Sequence, residues 1–275
     1  MGVIRLNILF WNMNKKDIVD CLVDITIEND VDLLVLAEYQ YNIDNLCQAM
    51  NNSSCRKYKA IPNIDCERLK IIANKTYGVD PLRDDKYYNI LRIRTSPKAN
   101  DVIVAMIHNR SKMYEKTDEQ RKNVQEFHRA IVDSEREEEI ERTIAIGDFN
   151  IDPFETLCFG SAGMHALPYR NLIEKRKTKN ESGKKFYNPT WKFYGRTQPP
   201  FSTYHCANGG MHNFYWYVFD QVMISRSLLD AFQDENLKII TETSNYKLLT
   251  KRANLRKKEY GDHLPLFCSL KEELI

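Results

Sequence analysis

Residues 142–153, reading Arg-Thr-Ile-Ala-Ile-Gly-Asp-Phe-Asn-Ile-Asp-Pro, constrain this chain more than any other stretch. Thr143, Ile144, Ala145 and Ile146 form a short apolar run rich in β-branched side chains, Gly147 breaks it, and Pro153 forbids its continuation. Such a run reads as a strand buried on both faces. It ends by projecting a carboxylate, Asp148, and a carboxamide, Asn150, with Phe149 between them pointing elsewhere. In open α/β proteins the carboxyl ends of strands are where ligands sit, although a plain Asx turn after a strand has the same composition.

Other runs end in the same manner. Residues 3–11 read as a strand that ends at Asn12, and residues 33–37 as a buried strand followed at once by Glu38. Residues 102–107 form a strand ending at His108, and Asp262 and His263 precede a closing strand over 266–270. Asp220 lies inside a long aromatic-rich strand expected over 214–224. Between these, Asn14 is placed to cap a helix through Ile18, Cys21, Leu22 and Ile25, and 41–50 reads as a second helix. Further strands are expected at 58–61, 69–73 and 87–93, with turns at Pro81 and at Asp84-Asp85. Thr117 to Gln120 has the form of a capping box, and Val124, Phe127 and Ile131 give the helix that follows one apolar stripe. The acidic run 135–141 reads as a solvated helix end. No linker or repeat interrupts the chain, so one domain over 1–275 is expected, with stacked sheets and helices outside them.

Composition narrows the setting. In 275 residues, 43% are hydrophobic, enough for a large core, and the net charge is only +2, which argues against a whole-surface polyanion binder. Seven scattered cysteines with no Cys-x-x-Cys pair do not make a disulfide framework. The first residues lack the form of a signal peptide, and no run reaches membrane-spanning length. A soluble cytoplasmic protein without a membrane partner is expected.

A single strand-end Asp or His is ordinarily a cap or a surface residue, but here the pattern recurs. Hard oxygen donors from Asn, Asp and Glu suit Mg²⁺ or Mn²⁺. His205, Cys206 and His212 have no zinc-site spacing. Asp262 and His263 can divide the work, carboxylate towards metal and imidazole towards water, and Asp220 can hold the imidazole in one tautomer.

Together these motifs carry a resemblance. Trp11-Asn12-Met13-Asn14, Glu38, His108, Gly147-Asp148-Phe149-Asn150, Phe219-Asp220-Gln221-Val222 and Asp262-His263-Leu264-Pro265 resemble, in order and across nearly the whole chain, the endonuclease/exonuclease/phosphatase superfamily. The resemblance implies an α/β, four-layer αββα sandwich of two packed, mostly antiparallel sheets with helices outside and the site at their shared edge. It implies Mg²⁺ (or Mn²⁺) held by Glu38 with Asn12 and Asp262. In it His263 is the general base oriented by Asp220, Asp148 and Asn150 position nucleophile and scissile phosphate or hold a second metal, and His108 contacts the phosphate. The chemistry would be in-line attack of water on phosphorus. Gln221 departs from the family, which often has an aromatic there, and 159–210 has no counterpart in it.

Substrate choice rests on two basic stretches, Lys175 to Lys185 (with Lys177 and Lys179) and Lys251 to Lys258, and on nearby aromatics, chiefly Trp191 and Tyr204. Cations track a phosphate backbone and aromatics stack unpaired bases, so nucleic acid is the expected partner. Two alternatives stay open: an esterase of small or lipid-linked phosphate esters sharing the whole site, and a catalytically silent binding protein.

Overall fold

The computed structural model describes residues 3–95, 101–111, 117–174, 183–209 and 214–273. Strand β1 (Val3–Asn12) leads through helix α1 (Val19–Glu28) to β2 (Leu33–Ala37), and α2 (Ile43–Ser53), β3 (Tyr58–Ile61) and β4 (Leu69–Asn74) follow. Next come β5 (Gly78–Asp85), β6 (Tyr88–Arg94), β7 (Val102–His108), the long α3 (Thr117–Glu138) and β8 (Thr143–Asp148). Shorter elements succeed them: α4 (Thr156–Phe159), β9 (Ala166–Leu167), α5 (Arg170–Glu174), β10 (Phe186–Tyr187), β11 (Tyr204–His205) and β12 (Trp216–Tyr217). The chain closes with β13 (Asp220–Ser225), β14 (Phe232–Ile239), α6 (Lys257–Tyr260) and β15 (Leu266–Glu273).

These strands build two large mixed, mostly antiparallel sheets and a two-stranded ribbon of β11 and β12. The first has the order β14-β15-β1-β2-β4-β3 and the second β5-β6-β7-β8-β13-β10-β9. The period-two alternation of side chains explains how they pack. In the second sheet Leu91, Ile93, Val104, Met106, Ile144, Ile146 and Val222 join the core shared with β1 and β2. Their neighbours Ile90, Ile103, Ala105, Ala145 and Met223 face the other way, onto Val124, Phe127 and Ile131 of α3. Sheet lies on sheet, and α3 covers the outer face of the second.

The first sheet contains one parallel pair joined by a helix, β1-α1-β2; the second contains β7-α3-β8 and, at its far edge, the short parallel pair β9 and β10. A crossover connection of this kind is the ordinary way to join parallel neighbours. It also sends the carboxyl ends of both strands of a pair to one edge.

The local structure differs from the sequence reading in four places. Asn14 caps nothing: α1 begins five residues later, and Asn14 has φ 42° and bonds elsewhere. Pro81 and Asp84 lie within β5, because β5 is the edge strand of its sheet and bulges between Pro81 and Arg83, where a missing N–H costs no ladder bond. The aromatic run 214–224 is two strands, since Trp216 and Tyr217 pair with β11 whereas Asp220 starts the pairing with β8. Glu135 is not solvated. It is buried, taking hydrogen bonds from the Thr143 hydroxyl and the Lys184 ammonium. The side chain of Thr117 lies outside the described residues, as do 175–182 of the first basic stretch with Lys177 and Lys179, and His212.

Candidate active site

The parallel pairs β1-β2 and β7-β8 bring four polar residues to one edge. Asn12 ends β1, Glu38 follows β2, and His108 and Asp148 end β7 and β8 in register with one another. Antiparallel neighbours reach the same edge with their amino ends, so Asp220 opens β13 opposite Asp148. His263 lies three residues before β15 and is tied to β1 by the Trp11 indole, which donates to its carbonyl at 3.0 Å.

The side chains converge. Asn12 Nδ2 donates to Asp148 Oδ2 at 3.0 Å, and His263 Nδ1 meets Asp220 Oδ2 at 2.8 Å. His263 Nε2 lies 3.8 Å from Asp148 Oδ2, and His108 Nε2 lies 3.6 Å from Glu38 Oε1 and 4.0 Å from the same Asp148 oxygen. Asp148 Oδ1 accepts the main-chain N–H of Asn150 at 2.9 Å, which bends the chain after β8, where Asn150 has φ 52°. Gly147 is required: a Cβ there would lie 2.0 Å from the Ile107 carbonyl oxygen.

Asn14 joins the site through its amide, which donates to Asp262 Oδ1 at 2.8 Å while its main-chain N–H bonds Asn12 Oδ1 at 3.1 Å. It thus ties together the two segments that carry Asn12 and His263. A buried amide network holds the other side. Asn150 Nδ2 donates to the Asn109 carbonyl, Asn109 Nδ2 to the Phe149 carbonyl, Asn123 Nδ2 to Asn109 Oδ1, and Gln120 Nε2 to the carbonyls of Asn150 and Arg110. Sequence reasoning missed Asn109 and Asn123 and gave Asn14 and Gln120 other tasks. A signal was present, because Gln120 and Asn123 extend the buried stripe of Val124, Phe127 and Ile131 by one turn.

Burial dominates the electrostatics. It pushes the Asp148 carboxyl well above the usual carboxylate range, and the nearby His263 only partly opposes this. Burial alone would lower the His263 imidazole, but Asp220, by charge and hydrogen bond, then Asp148 and Asp262, outweigh it and hold the pKa above the ordinary value. Burial drives His108 down to about 3, with the charges of Arg68 and His263 adding to it, so this imidazole is neutral at pH 7. Asp148, Asp220 and His263 offer ligand atoms within 4.8 Å of one another, but His263 Nδ1 is already engaged by Asp220. The donors fit a hard cation all the same. Glu38, Asp148 and Asp220 gather around the two histidines, and Asp220 Oδ1 is buried with no hydrogen-bond partner among the described residues.

Two further expected residues are placed apart from each other. The Tyr204 ring packs against His263 (centroids 4.7 Å) and stacks on Phe219 (5.0 Å, 19°), and the ammonium of Lys257, from the second basic stretch, lies over the Tyr204 ring at 5.9 Å from its centroid. Trp191 sits in the short turn Pro189–Phe193, edge-on to Tyr194 at 6.3 Å, and is not brought against the histidines.

The sequence matches no protein-family profile and no curated protein. Solved structures match in fold. An endonuclease/exonuclease/phosphatase family protein from Bacteroides thetaiotaomicron superposes with TM-score 0.62 at 11% identity, covering 99% of this chain and 97% of that one. ANGEL2, a 2',3'-cyclic phosphatase, gives 0.60 at 14% identity over 99% and 96%. A 3' phosphatase, NExo, from Neisseria, bound to product DNA hairpin, gives 0.53 at 15% identity over 96% and 99%. The chain therefore has the endonuclease/exonuclease/phosphatase fold.

Proposed function

We propose that this chain is a divalent-metal-dependent phosphoric ester hydrolase, and within that class a nuclease, formed as one catalytic domain with residues drawn from position 12 to 263. The observation that carries the reading is the His263–Asp220 dyad facing Asp148 at the edge where Glu38, Asn12 and His108 also end.

Glu38 and Asn12, with Asp262 beside them, would hold Mg²⁺ or Mn²⁺. Such an ion supplies positive charge to the oxygens that become more negative as water attacks phosphorus. In its neutral form His263 takes the proton of that water at Nε2. Asp220 fixes the tautomer by occupying Nδ1, and the carboxylates of Asp220, Asp148 and Asp262 stabilise the imidazolium that forms. Asn12 and the Asn150 N–H hold the Asp148 carboxylate in place between the two histidines. His108, neutral, presents a hydrogen-bond donor rather than a charge to a phosphate oxygen.

Nucleic acid is favoured as substrate by the cation-flanked aromatic surface beside the base, Tyr204 with Lys257. The test is a hydrolysis panel of single- and double-stranded DNA, RNA and small phosphate esters, with and without chelator, using Asp148→Ala as blank. Polymer cleavage lost with chelator and in the variant is the expected result. Turnover of small esters alone would move the protein to the phosphatase reading. Turnover indifferent to chelator, or none on any substrate, would overturn the metal-dependent hydrolase.

A further inference from the structure

The row of strand ends does not stop at Glu38 and His108. In the first sheet Ala37 pairs with Leu69, which sets Arg68 beside Glu38 at the mouth of β4. In the second, Tyr88 pairs with Ile107 and the His108 N–H donates to the Tyr87 carbonyl at 2.9 Å, which sets Lys86 and Tyr87 beside His108. The segment before β4 is pinned there by Asp84, whose carboxylate accepts the main-chain N–H groups of Ile64, Asp65 and Cys66.

Three cations converge on one ring in this place. Arg68 Cζ lies 4.9 Å from the Tyr87 ring centroid, Arg110 Cζ 5.3 Å and Lys86 Nζ 5.5 Å. Arg110 is held by Glu119 at 2.8 Å and by the Tyr87 hydroxyl. Arg68 and Lys86 have no carboxylate partner among the described residues. Cation–π contacts partly offset the gathering of like charge around Tyr87, but no carboxylate among the described residues forms an ion pair with Arg68 or Lys86. Arg68 is close enough to the site for its charge to act on His108.

The spacing says what such a group can reach. From Asn12 or Asp148, Glu38 or His108 is one strand away, and Arg68 or Lys86 is two, roughly 10 Å at the usual strand separation. With their charged ends turned onto the Tyr87 ring, Arg68 and Lys86 flank the row of Asn12, Asp148, Glu38 and His108 rather than joining it. Resting on the hydrolase reading above, we propose that Arg68, Lys86 and Arg110 around Tyr87 form a subsite for a phosphate other than the scissile one. The substrate is then a strand of consecutive phosphodiesters, read on the His108 side of the cut.

The experiment has two arms on the full chain. Binding of a fluorescein-labelled single-stranded oligodeoxynucleotide is followed by anisotropy against salt, with chelator present so that nothing is cleaved. Turnover is measured with Mg²⁺ on the same oligonucleotide and on a chromogenic thymidine p-nitrophenyl phosphodiester, which has a single phosphate. Arg68→Ala and Lys86→Ala should each flatten the log–log salt slope by about 0.7, and the double variant by about twice that. The ratio of kcat/KM on oligonucleotide to that on the diester should fall about tenfold for each. Arg68→Lys should keep the slope. An unchanged slope in the double variant, an equal loss on both substrates, or a slope as flat in Arg68→Lys as in Arg68→Ala would overturn the subsite. Wild-type protein that binds with the expected slope but cleaves neither substrate would sink the hydrolase reading and leave the subsite standing.

Discussion

Gly147 has φ 153° and sits against the Ile107 carbonyl so closely that an added methyl would overlap it. Gly147→Ala should therefore cost about 3 kcal/mol, read as a lower urea midpoint with unchanged m, because parting β7 from β8 is the only relief. It should also cost activity, since Asp148 and His108 sit one residue further along that pair. His263 and Asp220 allow a finer test. Asp220 is the chief influence raising the imidazole against burial, so Asp220→Asn should lower the His263 pKa, measured by NMR titration of the ring nitrogens. The sign in stability follows: a folded pKa raised above 6.5 adds stability that is full below the unfolded value and lost as pH rises through the folded one. Asp220→Asn should erase that part of the pH profile. An unmoved pKa would show that Asp148 and Asp262 suffice.

Helix α3 shows what an element does beyond covering a sheet. Its first turns carry Gln120 and Asn123, which bond to the segments after β7 and β8. Gln120→Leu leaves the buried carbonyls of Asn150 and Arg110 without this donor, so a loss of about 2 kcal/mol is expected in denaturant unfolding. A fall in kcat exceeding any rise in KM is expected with it, because Asn150 loses its hold. Its last turns carry Glu135, whose carboxyl burial raises and Lys184 lowers. Lys184→Met removes the compensating charge and should destabilise by about 3 kcal/mol, more at pH 8 than at pH 5, since a lone buried carboxyl folds most easily when protonated. The sequence made the elements legible where one property decided them: both-face burial for β2, β7 and β8, and polar residues where those strands stop. It misled where two properties competed. Glu135 stands in a run of acids, and the partner that explains it, Lys184, is 49 residues away. Asn14 has the spacing of a cap, but its partner Asp262 is 248 residues away. Polar residues on a buried stripe look like solvent-facing ones until the strand ends they serve are known.

At the scale of the whole molecule, the cation should act as a fastener at the edge of the first sheet, where β1 and β2 end side by side. If Mg²⁺ or Mn²⁺ binds at Glu38 and Asn12, a concentration of 100 times its Kd should add about 2–3 kcal/mol and raise Tm by several degrees. His263→Ala should keep that shift while abolishing turnover, and Glu38→Ala should lose most of it. Equal loss in both would contradict the division between base and ligand. No helix among the described residues is long and apolar enough to cross a membrane.

The placement of β1 between β15 and β2 has a consequence in time. During synthesis, α1, β2 and α2 can dock on β1 early, but its other edge stays open until β15 is made. At 5–20 residues per second that is a wait of roughly 10–50 s. For that interval the nascent chain exposes the unpaired backbone of an apolar strand, a template for joining another chain. His263, the proposed base, arrives with the segment that closes this gap, so the proposed hydrolysis would report closure of that edge, and a ribosome-stalled chain lacking β15 should be both inert and prone to chaperone capture.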